Sequence, residues 1–392
     1  MLGIINKEEC CGCSACMQAC PRQCIKMIFD EEGFRYPKIN KSNCIECGLC
    51  EKICPIRNTS YKEGNVKKIC VGYAKDDKIR LKSSSGGIFS LLAKSCIEEN
   101  GVVYGASFND TTNVFHIGVE KVKDINKLQG SKYLQSRIGN TFIEAKKRLE
   151  NNQKVIYSGT PCQIAGLKSY LKKDYDNLLT VDVLCHGVPS GKLWNKYITE
   201  QEKMHESSVQ KIFFRDKKYG WKRYAVLLEF SNNTTYECVF AEDPFMKMLL
   251  ANISLRPSCY SCKFKGMPHP ADITLGDCWG VEKHSPEMDD NKGTSVIMLN
   301  TTRGVHELKK ILSTMQYKEC TLNCAVPPNA ESRQQVRIHP NRKRFFEKMD
   351  SSSIEELTKF INASILTRVL YKLMKKIGIT RKQTWNCIQK NN

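Results

Sequence analysis

Two hydrophobic periods alternate along the chain. Ile88, Leu91, Leu92 and Cys96 recur at helical spacing and predict a helix that Asn100-Gly101 ends. The apolar run 102–108 predicts a buried strand, and Phe142, Ile143 and Leu149 restore the helical period. Residues 154–158 read as a strand, with Gly159 as the turn, Thr160 as N-cap, Pro161 at the first helical position and Gln163 completing a capping box. A further strand opens at 178 and runs into a loop by 190. Strands alternating with helices imply an α/β layer, a mostly parallel sheet, and functional loops after the strands. From about residue 211 the period shortens to two. Segments 211–216, 224–230 and 234–240 read as an antiparallel insertion, with 231–233 as a hairpin turn. At the far end Ile354, Leu357, Ile361, Ile365, Val369, Leu373 and Met374 form a helical stripe ringed by Lys359, Arg368, Lys372, Lys375 and Lys376. Such a basic amphipathic helix packs at home by default; an anionic membrane surface or a partner are its other uses.

Before residue 60 cysteine spacing replaces periodicity. The pattern C-x2-C-x2-C-x3-C-P occurs twice, through Cys10, Cys13, Cys16, Cys20 and Pro21, then Cys44, Cys47, Cys50, Cys54 and Pro55. Ile5-Asn6-Lys7 precedes the first run as Ile39-Asn40-Lys41 precedes the second, which marks a duplication. Three thiolates in one short loop wrap three corners of a cubane, and the fourth cysteine reaches the other cluster. Cys10, Cys13, Cys16 and Cys54 are therefore expected to hold one [4Fe-4S] cluster, and Cys20, Cys44, Cys47 and Cys50 a second. Structural zinc takes separated C-x2-C pairs, and disulfides need an oxidising compartment for which no export signal is readable. Cys11 and Cys24 fall outside the pattern and read as bystanders.

The chain has 392 residues and 21 cysteines, too long for a bare ferredoxin. No apolar run approaches a membrane span, so a soluble, cytoplasmic protein is expected. The net charge of +20 is weighted toward the end, where residues 331–392 carry 14 basic and 5 acidic side chains. Charge alone does not choose between nucleic acid, lipid, an acidic redox partner or a polyanionic coenzyme. No stacking aromatics interleave the basic runs, so nucleic acid is not expected.

Beyond the repeats, Cys259 and Cys262 form a lone C-x2-C pair. Cys162, at a helix start that favours a thiolate, and Cys185 both follow predicted strands. These four are expected to hold a third [4Fe-4S] cluster, with Cys278 as the rival ligand and structural zinc as the alternative metal. Ser85, Gly86 and Gly87 open a helix as a phosphate-binding turn would, although helix capping explains them equally.

Residues 159–168, 185–190, 258–265 and 272–280, extended by 83–90, 130–139 and 214–221, resemble the coenzyme F420 hydrogenase/dehydrogenase beta-subunit family over about residues 1–300. Position 278, commonly aromatic in that family, is Cys here, which argues against a required ligand role. The resemblance implies FAD beside a [4Fe-4S] cluster and a hydride-carrying coenzyme, a reduced deazaflavin in archaeal members. It places Ser85, Gly86 and Gly87 at the flavin pyrophosphate, and Lys132, Tyr133, Ser136, Gly159, Thr160 and Gln163 along the rest. Arg215, Lys217 and Trp221 are candidates for an acidic coenzyme tail.

The expected fold class is α+β: a bacterial-type two-cluster ferredoxin module over 1–60, an α/β flavin-binding domain over 69–150 and 151–320 with an antiparallel β insertion, and C-terminal helices over 321–392. The expected function is an iron-sulfur flavoprotein oxidoreductase passing electrons from reduced coenzyme F420 or a nicotinamide to a redox partner. The alternative is a flavin-free, cluster-only electron-transfer subunit.

Overall fold

The computed structural model describes residues 6–58 and 66–362. Ile365, Val369, Leu373 and Met374 of the C-terminal stripe and its bases Arg368, Lys372, Lys375 and Lys376 lie outside the described residues, as do residues 59–65 between the N-terminal module and the rest of the chain.

The N-terminal module is small. Helix α1 (Ala15–Ala19) leads to the antiparallel hairpin β1 (Ile25–Phe29) and β2 (Arg35–Ile39), and α2 (Leu49–Lys52) carries part of the second cysteine run. The rest is built on an eight-stranded sheet of strands β3 (Lys68–Ala74), β4 (Val102–Phe108), β5 (Val114–Val119), β6 (Val155–Gly159) and β7 (Leu178–Val183), completed by three later ones. A separate three-stranded antiparallel sheet follows in the chain: β8 (Val209–Asp216), β9 (Ala225–Phe230) and β10 (Thr235–Val239). The chain then returns to the large sheet with β11 (Ile273–Asp277), β12 (Ser295–Leu299) and β13 (Met315–Glu319), giving the spatial order β13-β3-β12-β11-β7-β6-β4-β5.

The expected antiparallel insertion is therefore present. The large sheet is not mostly parallel: β4, β6, β7 and β11 pair in parallel at its centre, and antiparallel strands flank them on both sides. A short connection explains one edge, since β4 and β5 are joined by a five-residue turn that permits only a hairpin.

Helix α3 (Asp77–Lys82) and helix α4 (Ile88–Glu98) precede β4, and α4 buries Ile88, Leu91, Leu92 and Cys96 on one face of the sheet. Helix α5 (Thr141–Glu150) and helix α6 (Pro161–Leu171) cover the other face with Phe142, Ile164 and Leu167. That second core includes Cys11, Cys13, Ala15, Ile53 and Cys54, so the N-terminal module shares a core with the main domain. Gly166 of α6 makes this contact: a Cβ there would lie 2.9 Å from Cys13 Cβ and 3.0 Å from its sulfur. Ile354 and Leu357, which begin the C-terminal stripe, are buried in a third core with Trp194, Phe214 and Phe245.

The seam is closed by two arginines. Arg256 is buried; its Nε donates to the Cys10 carbonyl at 2.8 Å, Nη2 to the Arg35 carbonyl at 2.9 Å and Nη1 to Gln135 Oε1 at 3.0 Å, with its guanidinium over the Tyr36 ring. Arg342 holds Glu32 through two bonds of 2.8 and 2.6 Å. Truncation of Arg256 leaves three acceptors without their donor, at a cost of about 1–3 kcal/mol each where water cannot reach them. In Arg256→Ala, amides of residues 10–58 are expected to exchange hydrogen faster while those of β12 keep their protection. Equal loss in both regions would contradict a local seam.

Candidate functional site

A cavity of about 1030 Å³ opens where the loops after β6, β7 and β11 meet the N-terminal module. Its volume is at the top of the range for sites that take drug-sized ligands, about 300–1,000 Å³. The ends of parallel strands direct these loops to one side of the sheet, as an open α/β sheet requires.

The turn between β6 and α6 forms one wall. The Thr160 amide donates to Gln163 Oε1 at 3.0 Å, the N-cap half of a capping box. Gln163 is buried, and its Nε2 donates to Ser136 Oγ at 3.0 Å. Ser136 Oγ lies 2.8 Å from His116 Nδ1, and His116 Nε2 lies 2.8 Å from the Ser158 carbonyl. Because a carbonyl only accepts, Nε2 carries the proton and Nδ1 accepts from Ser136. Burial pushes His116 down to about 4, so the ring is neutral near pH 7.

The serine-glycine turn forms the opposite wall. Ser84 and Ser85 face the cavity, Ser84 hydrogen-bonded to Ser131 Oγ at 2.8 Å. Gly87 also lines it, with φ +85° as the cap of α4. Gly86 does not: a Cβ there would strike the Gly72 carbonyl and stand 2.9 Å from the Ser295 amide, so glycine is needed by the sheet behind the turn. Lys132 and Tyr133 line the cavity too. The Lys132 amine donates to the Gln129 carbonyl at 2.7 Å, and burial lowers it to about 7.

The three residues assigned to an acidic tail are engaged within the protein. Lys217 Nζ donates to the carbonyls of Arg80, Ser85 and Lys292 at 2.9, 2.9 and 2.7 Å, which pins the serine-glycine turn from beneath. Burial works against the Arg215 charge, but Asp277 at 2.9 Å holds it protonated. Trp221 is buried, donates to Asp277 Oδ1 at 3.1 Å and stacks on Trp279 at 4.5 Å. These contacts satisfy Lys217 and the Trp221 indole internally, whereas Arg215 lines the cavity with its Nε buried and unpartnered; the alternating pattern around 215–221 reveals neither.

Thiols occupy the floor. Cys162, Cys185, Cys259 and Cys262 all line the cavity. Burial first, then the neighbouring Cys259, Cys162 and Cys262, push the Cys185 thiol up, so the four form one electrostatic group. Cys278 stands elsewhere, buried against Val281, Val296 and Met298 and influenced by Cys320 and Cys324. In the N-terminal module Cys54 of the second run comes to Cys10 and Cys16 of the first: burial and these neighbours push Cys16 up to about 12. Cys20, Cys44, Cys47 and Cys50 surround a separate cavity of about 20 Å³, joined by Cys24, whose sulfur lies 3.4 Å from that of Cys20. The thiols thus encircle spaces; among the described residues no three side chains converge on a single metal ion.

Two residues outside the expected ligand sets gain significance here. Cys11 lines the cavity and its thiol is perturbed by both Cys13 and Cys162, so it stands between the inner ferredoxin thiols and the cavity floor. Arg256 stands three residues before Cys259, a signal available in the sequence but silent without the contact it makes.

Residues 9–58 match the 4Fe-4S dicluster domain, and residues 152–323 match the C-terminal domain of the coenzyme F420 hydrogenase/dehydrogenase beta subunit. The chain carries a domain of that family. A dicluster module followed by this beta-subunit domain supports an iron-sulfur electron-transfer oxidoreductase. Among solved structures the chain is similar to one of the xenon-derivatised F420-reducing [NiFe] hydrogenase complex from Methanosarcina barkeri, at 17% identity and a TM-score of 0.46 over 65% of this chain and 82% of that chain. No curated protein matches the sequence. Among the described residues no helix of the beta-subunit domain or the dicluster module is long and apolar enough to cross a membrane.

His116 makes the wall acid-sensitive. Its folded value near 4 lies below the ordinary 6.5, so the unfolded chain binds the extra proton between those values. Stability is full above pH 6.5 and falls as pH drops toward 4, by up to about 3 kcal/mol. His116→Asn is expected to flatten that segment of the stability–pH curve in denaturant unfolding.

Proposed function

We propose that the protein is an iron-sulfur flavoprotein that takes a hydride from a reduced carrier, a deazaflavin or a nicotinamide, and delivers single electrons to a separate redox partner. The observation that carries this reading is one shared cavity. Eight of the nine residues that the family resemblance assigns to FAD line it together with four thiols, and Cys11 joins those thiols to the ferredoxin set.

The residues fit the groups they would hold. Four grouped thiols at each of three places supply the donor sets of [4Fe-4S] clusters. The Ser84–Gly87 turn offers hydroxyls and the start of a helix to a pyrophosphate, and Lys217 fixes that turn. Bound FAD would exchange a hydride as an electron pair and release electrons singly, while each cluster carries one. The chain's own residues prepare that chemistry. The Thr160–Gln163–Ser136–His116 relay keeps the wall rigid and neutral, Lys132 places a cation with a lowered pKa at the rim, and Arg256 excludes water between the two thiol groups. Cys162, Cys11 and Cys13 stand in sequence across the seam, so the order from cavity floor to inner ferredoxin set to outer set is the short path.

Anaerobic purification tests the whole reading. Bound FAD and about twelve irons per chain are expected, and Cys185→Ser or Cys259→Ser should each lower the iron by about four while leaving the ferredoxin clusters. Clusters without flavin would favour a flavin-free electron-transfer role; zinc, or unchanged iron in both variants, would reject the third cluster. Comparing reduced deazaflavin, NADH and NADPH as donors to the holoprotein identifies the carrier.

A further inference from the structure

The outer thiol set lies away from the seam, under a surface of unbalanced charge. Of the carboxylates near the hairpin, Asp30 and Glu31 pair with Lys7, Glu32 with Arg342 and Glu51 with Arg57. The bases Arg22, Lys26, Lys38, Lys41 and Lys52 are all exposed, and among the described residues none of them forms an ion pair. Glu46 is the one exposed acid beside them, on the rim of the outer cavity.

Two of these bases stand in a costly arrangement. Lys26 and Lys38 are direct cross-strand partners in the hairpin, and like charges in that position destabilise a sheet. The next pair along the same face is Ile28 with Tyr36. Toward the Gly33 end Arg256 covers this face, whereas the Lys26–Lys38 end is open and adjoins Cys24 through the bond from the Asn40 amide to the Cys24 carbonyl. Ile28 adds exposed apolar area on this face, 42% accessible, and Ile45, 59% accessible, stands on the rim of the outer cavity.

We infer that this face, centred on Lys26, Lys38 and Lys41 with Ile28 and Ile45, is the docking surface for an acidic one-electron carrier protein. The inference rests on the proposed conduction through the thiol sets and adds the partner's chemistry. An unpaired basic patch with an apolar centre steers an acidic partner and lets its contact dry. Cys20, Cys44, Cys47 and Cys50 would hold the cluster that gives up one electron per encounter, and the carrier would gain that electron with no proton exchanged.

The test uses holoprotein reduced with dithionite, which bypasses the cavity, and an oxidised, strongly acidic two-cluster ferredoxin as acceptor. The expected wild-type rate falls steeply as salt rises. Lys26→Glu/Lys38→Glu, and independently Lys41→Glu, are expected to slow it by about tenfold or more at low salt, while reduction of a small uncharged quinone and the iron content stay unchanged. Calorimetric binding of the oxidised ferredoxin should weaken in parallel, and that readout holds even if conduction fails. The inference is overturned if rates, salt slope and binding survive the substitutions, if only the cluster potentials move, or if the patch binds vesicles containing phosphatidylserine and not the ferredoxin. A reduced holoprotein that cannot reduce the quinone would instead count against the conduction reading.

Discussion

The buried guanidinium of Arg256 is the constraint on which the arrangement of sites depends. A charge in a dry place is tolerated only when its donors are satisfied, and its partners here lie on the N-terminal module as well as on the main domain. The hydrogen bonds that keep the charge stable therefore also fix the relation between the ferredoxin thiols and the cavity. With Cys13 packed on α6 and Cys11 reaching Cys162, the two modules behave as one core.

Much of the fold was legible because local chemistry and global packing agree. The β6–α6 unit announces itself through Thr160, Pro161 and Gln163, and the structure keeps each in the role its type suggests, while Gly159, expected as the turn, ends strand β6. The duplicated cysteine runs are equally plain, since spacing alone dictates which thiols can share a cubane. The parallel character of the sheet was overestimated for a physical reason. The strands recognised by period, β4, β6 and β7, are the parallel centre, whereas the antiparallel flanks β3, β5, β12 and β13 drew no strand expectation.

Less of the site was legible. Gly86 reads as a phosphate-binding residue, but its missing side chain serves the strand behind it. Lys217 looks like a ligand-seeking base until its three internal acceptors are seen. Cys11 has no place in the repeat and gains meaning only through a neighbour 151 residues away in sequence. In each case the decisive partner is remote along the chain, and no window of residues contains it.

Gly166 carries a broader consequence. The helix that lines the large cavity with its first turn presses its sixth residue against a ferredoxin sulfur, with hydrogen as the only spacer. Separation there is set by main chain, not by an adjustable rotamer. A foreign electron-carrying cassette grafted in place of the native one would have to reproduce that backbone-to-sulfur approach, so interchange of such modules between relatives is limited by steric fit before redox tuning enters.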